Sequence, residues 1–258
     1  MGLYDHREHV GNAGDVWKHF LLLEVANCLL TPDSSLVYAE SHVGRPKYAL
    51  KPSGDWESGI GRIWPALPLL KDFPYFNILA EFNSIESFSS LQIEFYPGSA
   101  LLVAELAKRK KADLLINIWD IDPAVGAAWN ECLDHSPISF HLDDGFSGVM
   151  SLLKSSPPGL LFIDPPFTSP EEKEAAEELF CTAKSLGWTA LCWHMMATIP
   201  KEIPSSFSDQ SIEFSIKFSR IGLEYAGAEG CSIRVASPDG TLIPRISARI
   251  KAFLQIIG

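Results

Sequence analysis

This 258-residue chain has few basic residues, no CxxC pair and no long apolar run. Lys and Arg number 21 against 32 Asp and Glu, a formal charge of −11. Broad, nonspecific grip on phosphate backbones needs clustered cations, so this composition argues against it, though not against a local basic groove. The five cysteines (Cys28, Cys132, Cys181, Cys192, Cys231) are odd in number and scattered. That argues against a disulfide framework or a structural zinc site, and most of them read as small core residues. His6-Arg7-Glu8-His9 lacks a further ligand at sensible spacing, so no metal site is expected. The start, Met1-Gly2-Leu3-Tyr4-Asp5-His6, lacks the apolar core of a signal peptide, and His6 stands where myristoylation wants Ser or Thr. The longest apolar stretch, Phe20 to Leu30, is broken by Glu24 and Asn27 and is too short to span a bilayer. The expectation is a soluble, cytoplasmic protein with no membrane partner.

Five short apolar runs suit strands covered on both faces: 36–40, 114–119, 138–142, 160–163 and 190–196. Helical patterns accompany them at 15–30, 100–111, 123–133 and 170–186. In the last, Ser169 is placed to cap, Pro170 takes the first turn, Glu172 completes a capping box and Gly187 ends the helix. Strand and helix in alternation mean an α/β doubly wound sheet. Two stretches break the alternation. Residues of about 46–97 carry prolines and aromatic-rich helical fragments and read as a helical insertion within a single domain spanning 1–258. Near the C-terminus, 211–218 and 231–236 alternate polar and apolar residues, as an antiparallel pair at the sheet edge would.

Open α/β sheets bind ligands beyond the carboxyl ends of their strands. There stand Glu40-Ser41-His42-Val43-Gly44, Asp120, Asp144-Gly145 and Asp164-Pro165-Pro166-Phe167. A glycine after the first strand lets backbone approach a ligand, and an acid after the second can accept hydrogen bonds from ribose hydroxyls. Asp-Pro-Pro-Phe is more specific, because two prolines fix φ and hold a flat ring beside a carboxylate. A planar base with an exocyclic amine fits such a site: the ring stacks and the N–H groups donate.

The chain resembles the RlmJ-type large-subunit ribosomal RNA adenine-N6 methyltransferases. Residues carrying the resemblance include Tyr4 and His6, His9-Val10-Gly11-Asn12, Asp15-Val16-Trp17-Lys18-His19, His42, Gly44, Tyr48 and Gly59-Ile60-Gly61-Arg62-Ile63-Trp64. Tyr96-Pro97-Gly98-Ser99, Asp144-Gly145-Phe146 and Ile163-Asp164-Pro165-Pro166-Phe167 follow in the family's order. The resemblance implies a Rossmann-like class I methyltransferase sheet, mostly parallel with an antiparallel C-terminal edge. It implies S-adenosyl-L-methionine as methyl donor and RNA, ribosomal RNA in particular, as partner of a monomeric enzyme. Lys18, His19, His42, Gly44, Ser99, Asp120, Asp144 and Gly145 would surround the donor. Asp164, Pro165, Pro166 and Phe167 would form the catalytic motif, with Asp164 on the target amine, Phe167 on the base and Tyr4 in a tail closing over the site.

The chain departs from the family where Asp120 replaces Glu, Phe167 replaces Tyr, and Pro46 stands in the loop that elsewhere carries a second glycine. Proline has no N–H and a fixed φ, so this loop must be built differently or bind the donor less well. A methyltransferase on DNA or another amine, and a non-catalytic nucleic-acid-binding relative, are the alternative readings.

Overall fold

The computed structural model describes residues 7, 9–83, 93–132, 138–199 and 211–258. Nine strands and nine α-helices lie within them, beginning with α1 (Ala13–Leu29), β1 (Ser35–Glu40) and β2 (Lys47–Ala49). Next come α2 (Ile60–Ile63), α3 (Leu67–Leu70), α4 (Pro74–Phe82), β3 (Phe95–Pro97), α5 (Ser99–Lys110), β4 (Asp113–Asp120) and α6 (Pro123–Cys132). After them follow β5 (Ile138–Leu142), α7 (Gly145–Ser155), β6 (Leu160–Ile163), α8 (Pro170–Ser185) and β7 (Thr189–Met196). The chain ends with β8 (Ser211–Lys217), β9 (Gly230–Ala236) and α9 (Leu242–Ile257).

Seven strands form one sheet in the order β5-β4-β1-β6-β7-β9-β8. The pairs from β5 to β7 are parallel, and β9 runs antiparallel to both β7 and β8. The alternating C-terminal runs thus form the antiparallel edge that their pattern predicts. Because β4 and β5 lie on one side of β1 and β6 and β7 on the other, the connections diverge between β1 and β6. That divergence opens a crevice at the strands' carboxyl ends. At either end of the proline-rich stretch, β2 and β3 pair antiparallel, with Lys47 opposite Pro97.

Helix α1 is buried over most of its surface, which explains why apolar residues surround it and why its buried Lys18, His19 and Glu24 each have a polar partner. It packs against α4, α5 and α9 on one side of the sheet. Phe20 stacks on Phe253 of α9 at 4.4 Å, and Glu24 takes a two-point ion pair from Arg249 (Nε at 2.7 Å and Nη2 at 3.1 Å). The other face of the sheet is covered by α7 and α8 through Val149, Leu153, Leu179 and Phe180. The cap of α8 is shifted from expectation: Ser169 Oγ accepts from Glu172 N, but the Glu172 carboxylate reaches Thr168 N rather than the capping residue's own amide. The cysteines divide, since Cys192 and Cys231 are buried while Cys132 and Cys181 are exposed. No described helix is long and apolar enough to cross a membrane.

Candidate active site

Lys18 and Asp164 meet at the crevice. The Lys18 ammonium lies 2.7 Å from Asp164 Oδ2 and 2.9 Å from Asp15 Oδ1, with only 7% of its side chain exposed. Burial works against a charged ammonium, but the two carboxylates outweigh it and raise the Lys18 pKa above its ordinary value. Asp15 is fixed in turn: its Oδ2 accepts from Gly11 N at 2.7 Å, and its own amide donates to the capping Asn12 at 2.9 Å. The ring of Trp193 lies 4.9 Å from the ammonium. The N-terminal motif therefore serves as the mount of a buried cation aimed at the Asp-Pro-Pro-Phe strand end. His19 points elsewhere, its Nδ1 2.8 Å from the hydroxyl of Tyr96, which meets Tyr75 at 2.8 Å.

Beside this pair, Glu40 ends β1 with no exposed surface. It accepts hydrogen bonds from Tyr38 at 2.7 Å and from Ser99 Oγ. Helix α5 begins at Ser99, and Gly98 precedes it without a side-chain cap. Burial pushes the Glu40 carboxyl from an ordinary 4.5 up to about 8, against the opposing effect of the Ser99 and Tyr38 hydroxyls. Between those values the native chain holds a proton that the unfolded chain has released, so stability falls as pH rises through this window. The expected slope approaches ~1.4 kcal/mol per pH unit. Glu40→Gln should flatten it, as denaturant unfolding at intervals from pH 5 to pH 9 would reveal. Parallel profiles for the two proteins would contradict the shift.

The loop after β1 is tied down at each residue. Asp120 Oδ2 accepts from Gly44 N at 3.1 Å while its Oδ1 accepts from Asp122 N at 2.8 Å. Burial raises the Asp120 pKa from its ordinary value, with these backbone donors opposing the shift. A carboxylate has about four acceptor positions, so both oxygens retain capacity. Gly44 has φ +63°, a conformation that favours glycine, and its carbonyl accepts from Trp129 Nε1 at 2.8 Å. Arg45 N donates to the Tyr48 hydroxyl at 2.9 Å, and the Pro46 carbonyl accepts from Gly98 N at 2.8 Å. The missing N–H of Pro46 leaves the loop well bonded.

At the neighbouring strand end, Asp144 caps α7 by accepting from Ser147 N at 2.8 Å. Burial opposes its ionisation, but the bonds from Ser147 prevail and lower its pKa. His42 meets Ser41 Oγ at 2.9 Å and sets its ring edge-on to Phe146 at 4.7 Å. Burial lowers its pKa to about 4, so the imidazole is neutral at pH 7. Gly145 touches the backbone of β1's exit, where a Cβ would stand 1.7 Å from the Ser41 carbonyl oxygen.

Within the motif itself, Pro165 is buried, Pro166 exposed and Phe167 half-buried. Phe167 has φ +52°, and its ring packs on His194 at 4.7 Å, tilted by 35°. Tyr4 lies outside the described residues. Sequence reasoning missed the roles of Glu40 and Asp15, and it missed Ile121 and Leu142. The last two are large apolar side chains, 59% and 54% exposed, at the adjoining ends of β4 and β5 beside Asp120. Their signal was apolar residues placed where a strand should already have turned polar.

Residues 33–185 match the family described as ribosomal RNA large subunit methyltransferase D, RlmJ. The chain belongs to the RlmJ family. The matched span holds β1 through α8, hence Glu40, Asp120, Asp144 and Asp164, whereas Lys18 precedes it. The ribosomal RNA large subunit methyltransferase J of Haemophilus influenzae is 29% identical over 174 residues, 64% of this chain and 59% of the relative. The Escherichia coli protein of the same name is 28% identical over 180 residues, 67% of this chain and 61% of the relative. The chain thus spans about three fifths of the length of these curated relatives. A crystal structure of a Legionella pneumophila protein shares the fold at TM-score 0.74 and 22% identity, over 96% of this chain and 94% of its own. The sheet is the Rossmann-like class I sheet expected of an RlmJ-family chain.

Proposed function

We propose that this RlmJ-family chain is a monomeric cytoplasmic methyltransferase that methylates adenine N6 in RNA, ribosomal RNA in particular, with S-adenosyl-L-methionine as donor. In this reading it is one domain over 1–258 with a helical insertion over about 46–97. The observation that carries it is the buried Lys18–Asp164 pair at the crevice, because it fixes a carboxylate beside the Asp-Pro-Pro-Phe ring.

The strand ends suit a sulfonium nucleoside. Asp120 has acceptor capacity for ribose hydroxyls, while Ile121 and Leu142 offer apolar faces to an adenine ring. In this reading Gly44, His42, Ser99, Asp144, Gly145 and Lys18 surround the donor at β1's carboxyl end, and His19 acts through its bond to Tyr96. When bound, the donor supplies an electrophilic methyl group. Asp164 accepts a hydrogen bond from the target amine and turns its lone pair toward that carbon. The bond also stabilises the positive charge that develops on nitrogen as attack proceeds. Lys18 prevents the carboxylate from rotating away. Pro165 and Pro166 fix the backbone, Phe167 stacks on the base, and Tyr4 belongs to the segment closing over it. No covalent intermediate with the protein is required.

Calorimetric titration with S-adenosyl-L-methionine and with its demethylated product tests the donor site. Asp120→Ala should weaken binding roughly tenfold to a hundredfold, the worth of charged hydrogen bonds to ribose. Unchanged affinity would overturn that assignment. Methyl incorporation into RNA, DNA and small adenine derivatives then tests the substrate. Transfer to DNA or a free base alone would overturn the RNA reading, and absence of donor binding would overturn the enzyme.

A further inference from the structure

A cleft of about 400 Å³ adjoins the loop after β1 on the side formed by β2, β3 and α6. Arg45, Pro46, Lys47, Phe95 and Glu131 contribute to its walls, whereas none of Lys18, His42, Asp120, Asp144 or Asp164 does. It is therefore separate from the candidate active site, although both share the loop that carries Gly44. The loop's backbone bonds engage Asp120, Trp129, Tyr48 and Gly98. They fix the chain without using the charged end of either Arg45 or Lys47. Among the described residues, neither cation forms an ion pair with a carboxylate. Lys47 instead rests on aromatic faces, 3.7 Å from the centre of the Phe95 ring and 5.2 Å from that of Phe82. Rings hold an ammonium in place without neutralising it.

Two cations without an ion pair line one cleft with a single carboxylate, Glu131, a local excess of positive charge within a chain of overall charge −11. The net negative charge works against a polyanion at long range, so cations free of ion pairs supply local points of attraction. A guanidinium forks onto phosphate oxygens, and a nearby ammonium adds a point charge. We infer that the cleft of Arg45 and Lys47 is a phosphodiester subsite, which grips the RNA backbone beside the nucleotide presented to Asp164. The inference rests on the RNA reading given above and adds a residue-level anchor to it. Glu131, on the α6 wall, limits the grip and disfavours other approach directions.

The test is binding of a single-stranded RNA oligonucleotide, followed by fluorescence anisotropy over a range of salt, beside calorimetric titration of the methyl donor. Arg45→Gln with Lys47→Gln should weaken RNA binding about tenfold at low salt. The slope of log affinity against log salt should shrink by about 0.7 for each phosphate released. Donor affinity should remain within about twofold of the original. Glu131→Gln should move RNA affinity the other way, a gain that misfolding cannot imitate. Inorganic phosphate at matched ionic strength should compete only weakly, since the subsite reads a phosphate held in a chain. An unchanged salt slope in the double variant overturns the inference while leaving RNA methylation by the parent protein standing. Equal losses of RNA and donor affinity overturn it by assigning the cleft to the donor. Weaker binding by Glu131→Gln, or equal competition by free phosphate, also overturns it. A parent protein that binds donor but no RNA overturns both the inference and the RNA reading.

Discussion

Asp164→Ala is expected to reduce methyl transfer by ~10²-fold or more while donor affinity changes little, since lost orientation of a reacting group has that magnitude. The geometry explains why the loss falls on chemistry. Asp164 is held at 2.7 Å by Lys18, which is anchored separately to Asp15, so the carboxylate is aimed before any ligand arrives. Removing one partner of a buried pair also leaves Lys18 with one fewer counterion, at a cost of up to about 3 kcal/mol. Thermal unfolding must therefore accompany the kinetics. Asp164→Asn separates the two effects: its amide oxygen can still accept from Lys18, so more stability than activity should return. Turnover of Asp164→Ala above a tenth of the parent's would remove Asp164 from the chemistry.

Gly145→Ala is expected to cost about 3 kcal/mol or more and to impair donor binding together with it, because backbone has little room to yield. A Cβ there would lie 1.7 Å from the Ser41 oxygen and 2.6 Å from its carbon, and both atoms belong to the main chain. Relief requires α7 to move off the end of β1. That displaces Asp144 from its capping position and separates Phe146 from His42. For a chain of this size the melting point should fall by roughly 6–12 °C. A variant with parent-like melting and donor affinity would show that α7 does not press on β1 as described.

Much of this arrangement was legible because local pattern and tertiary role agree. The apolar runs at 36–40 and 160–163 lie at the centre of the sheet, where both faces are covered. Ser169 and Pro170 mark the start of α8. Other elements carried little local signal. Helix α7 contains Gly145, Gly148 and three serines, poor helix formers, and is stabilised by the Asp144 cap and by Val149 and Leu153 in the core. Helix α9 is an exception, since Leu242, Ile246, Ile250 and Phe253 recur at helical spacing on its buried face; it starts without a side-chain cap, and Phe20 and Glu24 of α1 hold it in place. Strands β2 and β3, at three residues each, are too short to show a period.

The candidate site divides along the same line. The strand-end acids and Asp164-Pro165-Pro166-Phe167 were readable because topology gives the carboxyl ends of strands a function. Pro46 left open a loop built differently or a weaker donor site; in the structure its carbonyl accepts from Gly98 N, and the N–H of Arg45 donates to Tyr48. The Lys18–Asp164 pair had no local trace, because its members belong to different layers and meet only through the fold.

That separation affects how the molecule is made. Lys18 and Asp164 stand 146 positions apart, so at typical synthesis rates the cation leaves the ribosome on the order of 10 s before its partner carboxylate. During that interval Lys18 has Asp15, within its own helix, as a counterion. Strand β6, which delivers Asp164, pairs with β1 and β7, so the carboxylate reaches its place as the middle of the sheet closes. Formation of the pair is therefore a late event in maturation, because it waits on the strand at the middle of the sheet.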